Sequence, residues 1–224
     1  RKIVVAGLQA AIDNSEALRE DARNFNIIAA PGYPELIDNM VSLNNDRRNT
    51  AFVIGDTSMR LAATSTAIQN WASNSAADTG NSEDALVTTD EYLGIFYPPG
   101  QTNDLSGNTI VVPASHMILR TIARSDDQSF PWFAPAGTRR GLVDNANAIG
   151  FINSATGEFQ VDNVRESLRD TLYSNRVNPI TFFNGVGLMN YGQKTRAATT
   201  SSLDRINVAR LANYLRSQLQ ATAL

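Results

Sequence analysis

Residues 113–141, PASHMILRTIARSDDQSFPWFAPAGTRRG, decide how this chain is read. Pro113 and Ser115 are helix-starting residues, and Met117 to Ala123 continues as a helix that is apolar on nearly every side. A helix of that kind sits inside a domain, so the elements before and after it must cover it. A polar turn from Ser125 to Ser129 follows, then an aromatic, proline-bound segment from Phe130 to Gly137. That segment is too apolar for a casual linker: it locks onto the same core or waits for a partner. The small residues Ala134, Pro135, Ala136 and Gly137 suit close backbone packing and favour the core for Trp132 and Phe133. The interface reading stays open. Arg139 and Arg140 read as interface ion-pair donors or as a solvated pair.

Upstream, short apolar runs alternate with helical spacing. Ser15 to Arg23 reads as a helix, Phe25 to Pro31 as a strand buried on both faces, and Pro34 to Asn44 as a helix. Ala51 to Gly55 is a second buried strand, and Leu61, Ile68 and Trp71 place a helix after it. Ser73 to Asp90 reads as a polar surface loop, Glu91 to Tyr97 as a third strand, Gln101 to Asn108 as a second polar loop and Thr109 to Val112 as a short strand. That order predicts an α/β fold, a doubly wound, mostly parallel sheet flanked by helices. Downstream, Leu142 to Ile152 reads as weak strands. Val161, Val164, Leu168 and Leu172 make one helical stripe. Val177 to Gly192 reads as an irregular hairpin turning at Gly185 and Gly187. A last helix starts near Ser201 and Asp204, spaced as in a capping box, with the stripe Val208, Leu211, Ala212, Leu215 and Leu219. Two parts are expected: residues 1–176 as the α/β unit, and 177–224 as the start of a smaller, truncated α+β unit.

Composition excludes several chemistries. The 224 residues are 42% hydrophobic and 18% charged, enough for one large domain or two small ones. A net charge of -3 argues against nucleic acid as a main partner. With no cysteine and the single histidine His116, thiolate chemistry and His- or Cys-ligated metal sites are excluded. No spacing of oxygen ligands resembles a calcium loop, and Gly185-Val186-Gly187 lacks the third glycine and following helix of a nucleotide loop. No cofactor or metal is expected. No run approaches the roughly 18 consecutive apolar residues of a membrane helix. The chain opens at Arg1 and stops at Leu224 just past a helical pattern, so both ends read as cuts in a longer protein.

One catalytic constellation competes. Gly55-Asp56-Thr57-Ser58-Met59 sits at a strand-to-helix turn and superficially resembles the nucleophile run of subtilisin-type proteases. Ser58 and His116 would then be nucleophile and base. Asp56 interrupts the pattern and reads as a cap for the helix that follows it; His116, in the first turn of an apolar helix, reads as a buried or capping structural histidine. The order Ser58 then His116 differs from that of subtilisins, and no Gly-x-Ser-x-Gly elbow is present. A carbohydrate-binding role through Trp132 rests on aromatic content alone.

The ordered motifs carry a resemblance. Val112, Pro113, Ser115 and His116, then Ala123, Arg124 and Asp126, then Trp132, Ala134, Pro135, Ala136, Gly137 and Thr138 fall in one collinear series. Asn26 to Gly32 and Tyr97-Pro98 precede it; Asn178-Pro179-Ile180, Gly185, Gly187 and Ile206-Asn207-Val208 with Arg210-Leu211 follow it. The set resembles the tail sheath proteins of contractile bacteriophages and pyocin-like particles, over their central domain and the start of their C-terminal one. Ala114 replaces a second proline and no glycine separates Ser115 from His116, so the chain reads as a divergent member. The resemblance implies an α/β domain that is subtilisin-like in fold only. It also implies a non-enzymatic subunit that polymerises with other sheath subunits around a tail tube and contracts to drive the tube through the host envelope. Nucleic acid and membrane are not among the partners it implies. It places the protein in the virion, assembled in the host cytoplasm, and predicts that this chain alone is monomeric.

Overall fold

The computed structural model describes residues 1–20, 22–75, 83–86 and 88–223. In chain order the strands are β1 (Ile27–Ala29), β2 (Phe52–Asp56), β3 (Leu93–Tyr97), β4 (Gly100–Asn103), β5 (Thr109–Val112), β6 (Ala148–Ile152), β7 (Phe159–Val161), β8 (Val177–Phe183) and β9 (Gly187–Asn190). The helices are α1 (Lys2–Asp13), α2 (Glu16–Arg19), α3 (Ile37–Asp46), α4 (Ser65–Ala72), α5 (Ala114–Gln128), α6 (Gly137–Arg140), α7 (Glu166–Ser174) and α8 (Ile206–Ala223).

The three apolar runs become β1, β2 and β3, side by side and parallel, in the registers Ile27↔Phe52 and Val53↔Leu93. Every residue of β2 and β3 is buried. This is why they lack polar alternation: a parallel strand is covered on both faces. α3, α5 and α8 all pack against β2. β8 adds parallel to β3 through Ile95↔Val177, and β9 closes the sheet antiparallel through Ile180↔Asn190. The order β1-β2-β3-β8-β9 follows the chain. The mixed α/β expectation therefore holds, whereas the reversal of strand order that defines a doubly wound sheet does not occur among these strands. The expected boundary at residue 177 coincides with the first residue of β8, a strand of this same sheet.

Between β3 and β8 the chain builds a second, antiparallel sheet of order β5-β4-β6-β7. Part of the polar loop expected over Gln101 to Asn108 is strand: β4 pairs with β5 from Gly100↔Val112 to Asn103↔Thr109. The hydrogen-bonding capacity of the backbone decided this, not side-chain polarity. The weak strands expected over Leu142 to Ile152 reduce to β6 plus a bridge from Leu142 to Met189. Val161, expected in a helical stripe, ends β7 and is exposed, and α7 begins only at Glu166.

Other boundaries differ as well. α1 has no counterpart in the sequence reading; Val5 is its one buried residue and Ile3 and Val4 face solvent. Within the loop expected over Ser73 to Asp90, residues 76–82 and 87 lie outside the described residues, while Ala85 and Leu86 are buried in the core. The helix in the opening stretch does not break at Ser125: α5 runs on to Gln128. It is two-sided, burying Met117, Ile118, Thr121, Ile122 and Ser125 and exposing His116, Arg120 and Ala123. α8 buries Ile206, Ala209, Arg210 and Asn213, so the expected stripe is rotated and Leu215 and Leu219 are left exposed. The Ser201 to Asp204 spacing forms a 3-10 turn ahead of α8, with the Ser201 hydroxyl accepting from Leu203 N at 3.2 Å.

Candidate functional site

Asp56 ends β2 and is 2% exposed. It does not cap the helix that follows it. Its carboxyl instead accepts from Ser115 N at 2.7 Å and Ser115 Oγ at 2.8 Å, at the start of α5, and from Gly32 N at 2.9 Å. Burial pushes this carboxyl above the usual range, and the three donated bonds pull it back. The turn after β1 and the N-terminus of α5 are thus held on one buried side chain. The serine it holds is Ser115, not Ser58.

The Ser58 hydroxyl accepts from Arg60 N at 3.3 Å within its own turn. His116, expected as a buried or capping histidine, is exposed, because it falls on the solvent side of the two-sided α5. Among the described residues no hydrogen bond joins Ser58 to His116 or a carboxylate to the His116 ring. No group of three or more His, Cys, Asp or Glu side chains converges among those residues. No helix there is long and apolar enough to cross a membrane.

The aromatic segment is organised. Phe130 stacks on Trp132 with ring centroids 4.7 Å apart, Phe133 lies 6.4 Å from Phe130, and the Arg140 guanidinium sits 4.8 Å from the Phe133 ring centre. Trp132 reaches Tyr214 of α8 at 5.0 Å. Trp132 is half-buried, while Phe130 and Phe133 are 57% and 43% exposed, so neither phenylalanine seals the core. Together with Tyr214, Leu215 and Leu219 they give this end of the molecule exposed apolar side chains from two elements, the composition of an interface.

Behind that surface, Arg210 of α8 is 3% exposed and forms a two-point ion pair with Asp126 of α5, at 2.9 and 2.5 Å. No sequence pattern linked these two residues, since they meet only because both helices lie on β2. Arg210→Ala is expected to lower stability by about 2–3 kcal/mol, read as a lower urea midpoint. That is less than the roughly 3–5 kcal/mol of a fully buried broken pair, because solvent reaches Asp126. An unchanged midpoint would mean the two helices are not clamped there.

The buried serine–carboxylate contact is thus structural, and the distinctive outer feature of this α/β core is its exposed aromatic cluster. No family model matches the chain. Over 112 residues, 50% of its length, it is 37% identical to the tail sheath protein of Vibrio phage KVP40. Over 108 residues, 48% of its length, it is 35% identical to the tail sheath protein of Enterobacteria phage T4. Each match covers 15% of the relative. Among solved structures, the contracted helical sheath of the anti-feeding prophage shares the fold over 97% of this chain and 50% of that one, at a TM-score of 0.62 and 16% identity. The contracted sheath complex of an extracellular contractile injection system, PVC, gives 0.63 and 18% identity over 98% and 51%. The chain thus spans about half the length of those sheath chains. The tail-sheath resemblance of the ordered motifs is borne out in sequence and in fold.

Proposed function

We propose that this chain is the structural core of a contractile tail sheath subunit. In the whole protein it would polymerise with other subunits around a tail tube and contract to drive the tube through the host envelope. The observation that carries this reading is the shared fold with a helical sheath over 97% of the chain, alongside 35% identity to a phage tail sheath protein. The energy of contraction comes from differences in inter-subunit contacts between two packings, so no enzymatic activity, nucleotide or cofactor is required. Heterologous contacts that do not close produce such helical arrays. The exposed aromatic and α8 side chains are where this reading places a neighbouring copy. The tube is a further partner, nucleic acid and membrane are not, and the particle assembles in the host cytoplasm. The pairing of β8 with β3 and the seat of α8 on β2 support a single unit across residue 177.

The test is assembly. This chain alone is expected to sediment as a 24.3 kDa monomer, and the full-length protein to form regular tubes by negative-stain microscopy. A fluorophosphonate probe is expected to leave Ser58 unlabelled. Labelling that disappears in Ser58→Ala would instead establish a serine hydrolase.

A further inference from the structure

The turn that closes β9 onto β8 owes a chemical liability to the residues that shape it. Val186 N donates to Phe183 O at 3.1 Å, so Asn184 and Gly185 are the two central residues of a β-turn. Gly185 has a φ of 80°, while Asn184 stays outside the left-handed region. A turn with positive φ only at its second central residue calls for glycine there. The backbone geometry thus fixes a glycine after an asparagine, the only Asn-Gly pair in the 224 residues. Asparagine is a thermolabile residue, and a following glycine leaves the next peptide nitrogen without a side chain to shield it.

That nitrogen and the carboxamide ahead of it are both open. Asn184, Gly185 and Val186 are exposed. Apart from its chain neighbours, no atom lies within 4 Å of the place where a Cβ on Gly185 would stand. Among the described residues, no hydrogen bond holds the Asn184 carboxamide or the Gly185 N–H. We propose that Asn184-Gly185 is a site of spontaneous backbone modification, converting to isoaspartate through a succinimide. The Gly185 peptide nitrogen gives up its proton and attacks Asn184 Cγ. An N–Cγ bond forms, the Cγ–Nδ2 bond breaks, and Nδ2 takes up that proton and leaves as ammonia. Water then adds to either ring carbonyl. Opening at Cγ gives aspartate; opening at the main-chain carbonyl gives isoaspartate, with the backbone routed through Cβ and Cγ. No oxidant or co-reactant other than water is consumed.

Isoaspartate is the product that disturbs the fold. It adds a backbone carbon inside a tight turn, stretching the bond from Val186 to Phe183 and the adjoining register Phe183↔Gly187. β9 is the outer strand of its sheet, yet Leu188 and Met189 are buried, and Asn190 Nδ2 donates to Pro135 O at 2.7 Å. The modified turn therefore loosens the strand that anchors the aromatic segment. None of this depends on the sheath reading.

The test is peptide mapping by mass spectrometry after the folded chain has been stored in mildly alkaline buffer. The fragment holding Asn184 is expected to exchange carboxamide for carboxyl ahead of every other asparagine. The stored chain is also expected to accept methyl groups from S-adenosylmethionine through an isoaspartyl methyltransferase, and Asn184→Ser to lose that methylation. Deuterium exchange at Val186 N–H should quicken in stored wild type and stay constant in stored Asn184→Ser. Conversion of Asn184 in urea but not in the folded chain would overturn the site, since the fold would then hold the pair out of reach. Aspartate without isoaspartate would overturn the succinimide route. Methylation that persists in Asn184→Ser would place the modification elsewhere.

Discussion

Asp56→Ala is expected to lower the stability of this chain by roughly 3–5 kcal/mol, measured by urea unfolding. The substitution removes one acceptor side chain and leaves three donors, Ser115 N, Ser115 Oγ and Gly32 N, without it. Each buried donor left unsatisfied costs about 1–3 kcal/mol. Water entering the new space recovers part of the loss, which sets the total below the simple sum. The pH dependence has a definite sign. Burial raises the Asp56 carboxyl in the folded chain. The folded state therefore binds its proton more tightly than the unfolded state, where the value is about 3.9. The contribution of Asp56 is fully present below that value and declines as pH rises through the raised one. The gap between wild type and Asp56→Ala should accordingly be widest in acid and narrow toward neutrality. A gap that widens with pH would show that the three donated bonds outweigh burial.

Gly192→Ala is expected to cost about 3 kcal/mol or more, because the space beside Gly192 is already filled by Asn178. A Cβ there would stand 2.5 Å from Asn178 Cβ and 2.6 Å from Asn178 Cα. Asn178 has no freedom to retreat. It is fully buried, its Nδ2 donates to Ile95 O at 3.0 Å and Lys194 O at 2.8 Å, and its Oδ1 accepts from Lys194 N at 2.7 Å. One amide therefore ties β3, β8 and the segment after β9 together. Amide hydrogen exchange at Lys194 N should accelerate in Gly192→Ala along with the fall in the unfolding midpoint. A variant with unchanged midpoint and protected Lys194 would mean the backbone near 192 moves aside freely.

Local pattern carried much of the fold. The runs ending at Pro31, Gly55 and Tyr97 announced β1, β2 and β3, but only β2 and β3 are buried on both faces as their unbroken apolar runs require; β1, at the sheet edge, is half-buried, contrary to the expectation for Phe25 to Pro31. Gly185 and Gly187 marked the β8–β9 turn, and both have positive φ, at 80° and 102°. What stayed illegible depended on partners distant in the chain. Asp56 looked like a cap for the helix that follows it, yet its donors are at positions 32 and 115. Asn178 entered only as part of a family motif, and its bonds to Ile95 and Lys194 gave no signal in spacing. The facing of α8 was misread because its buried side holds an arginine and an asparagine, Arg210 and Asn213, where an apolar stripe points elsewhere. The aromatic segment was resolved only in part by pattern: Trp132 leans on Tyr214, and Phe130 and Phe133 remain at the surface.

The place of β8 in the first sheet has a consequence for synthesis. β3 emerges with one neighbour, β2, and its other edge stays open until residues 98–176 have been made. At about 5–20 residues per second that interval is roughly 4–16 s. Throughout it, a buried-type strand presents unpaired backbone groups beside apolar side chains, a template for wrong pairing with other nascent chains. The second sheet folds within the same window from local antiparallel hairpins, which close quickly. The chain thus completes its insertion before it completes its core, and a ribosome stalled between residues 98 and 176 would hold its most aggregation-prone form.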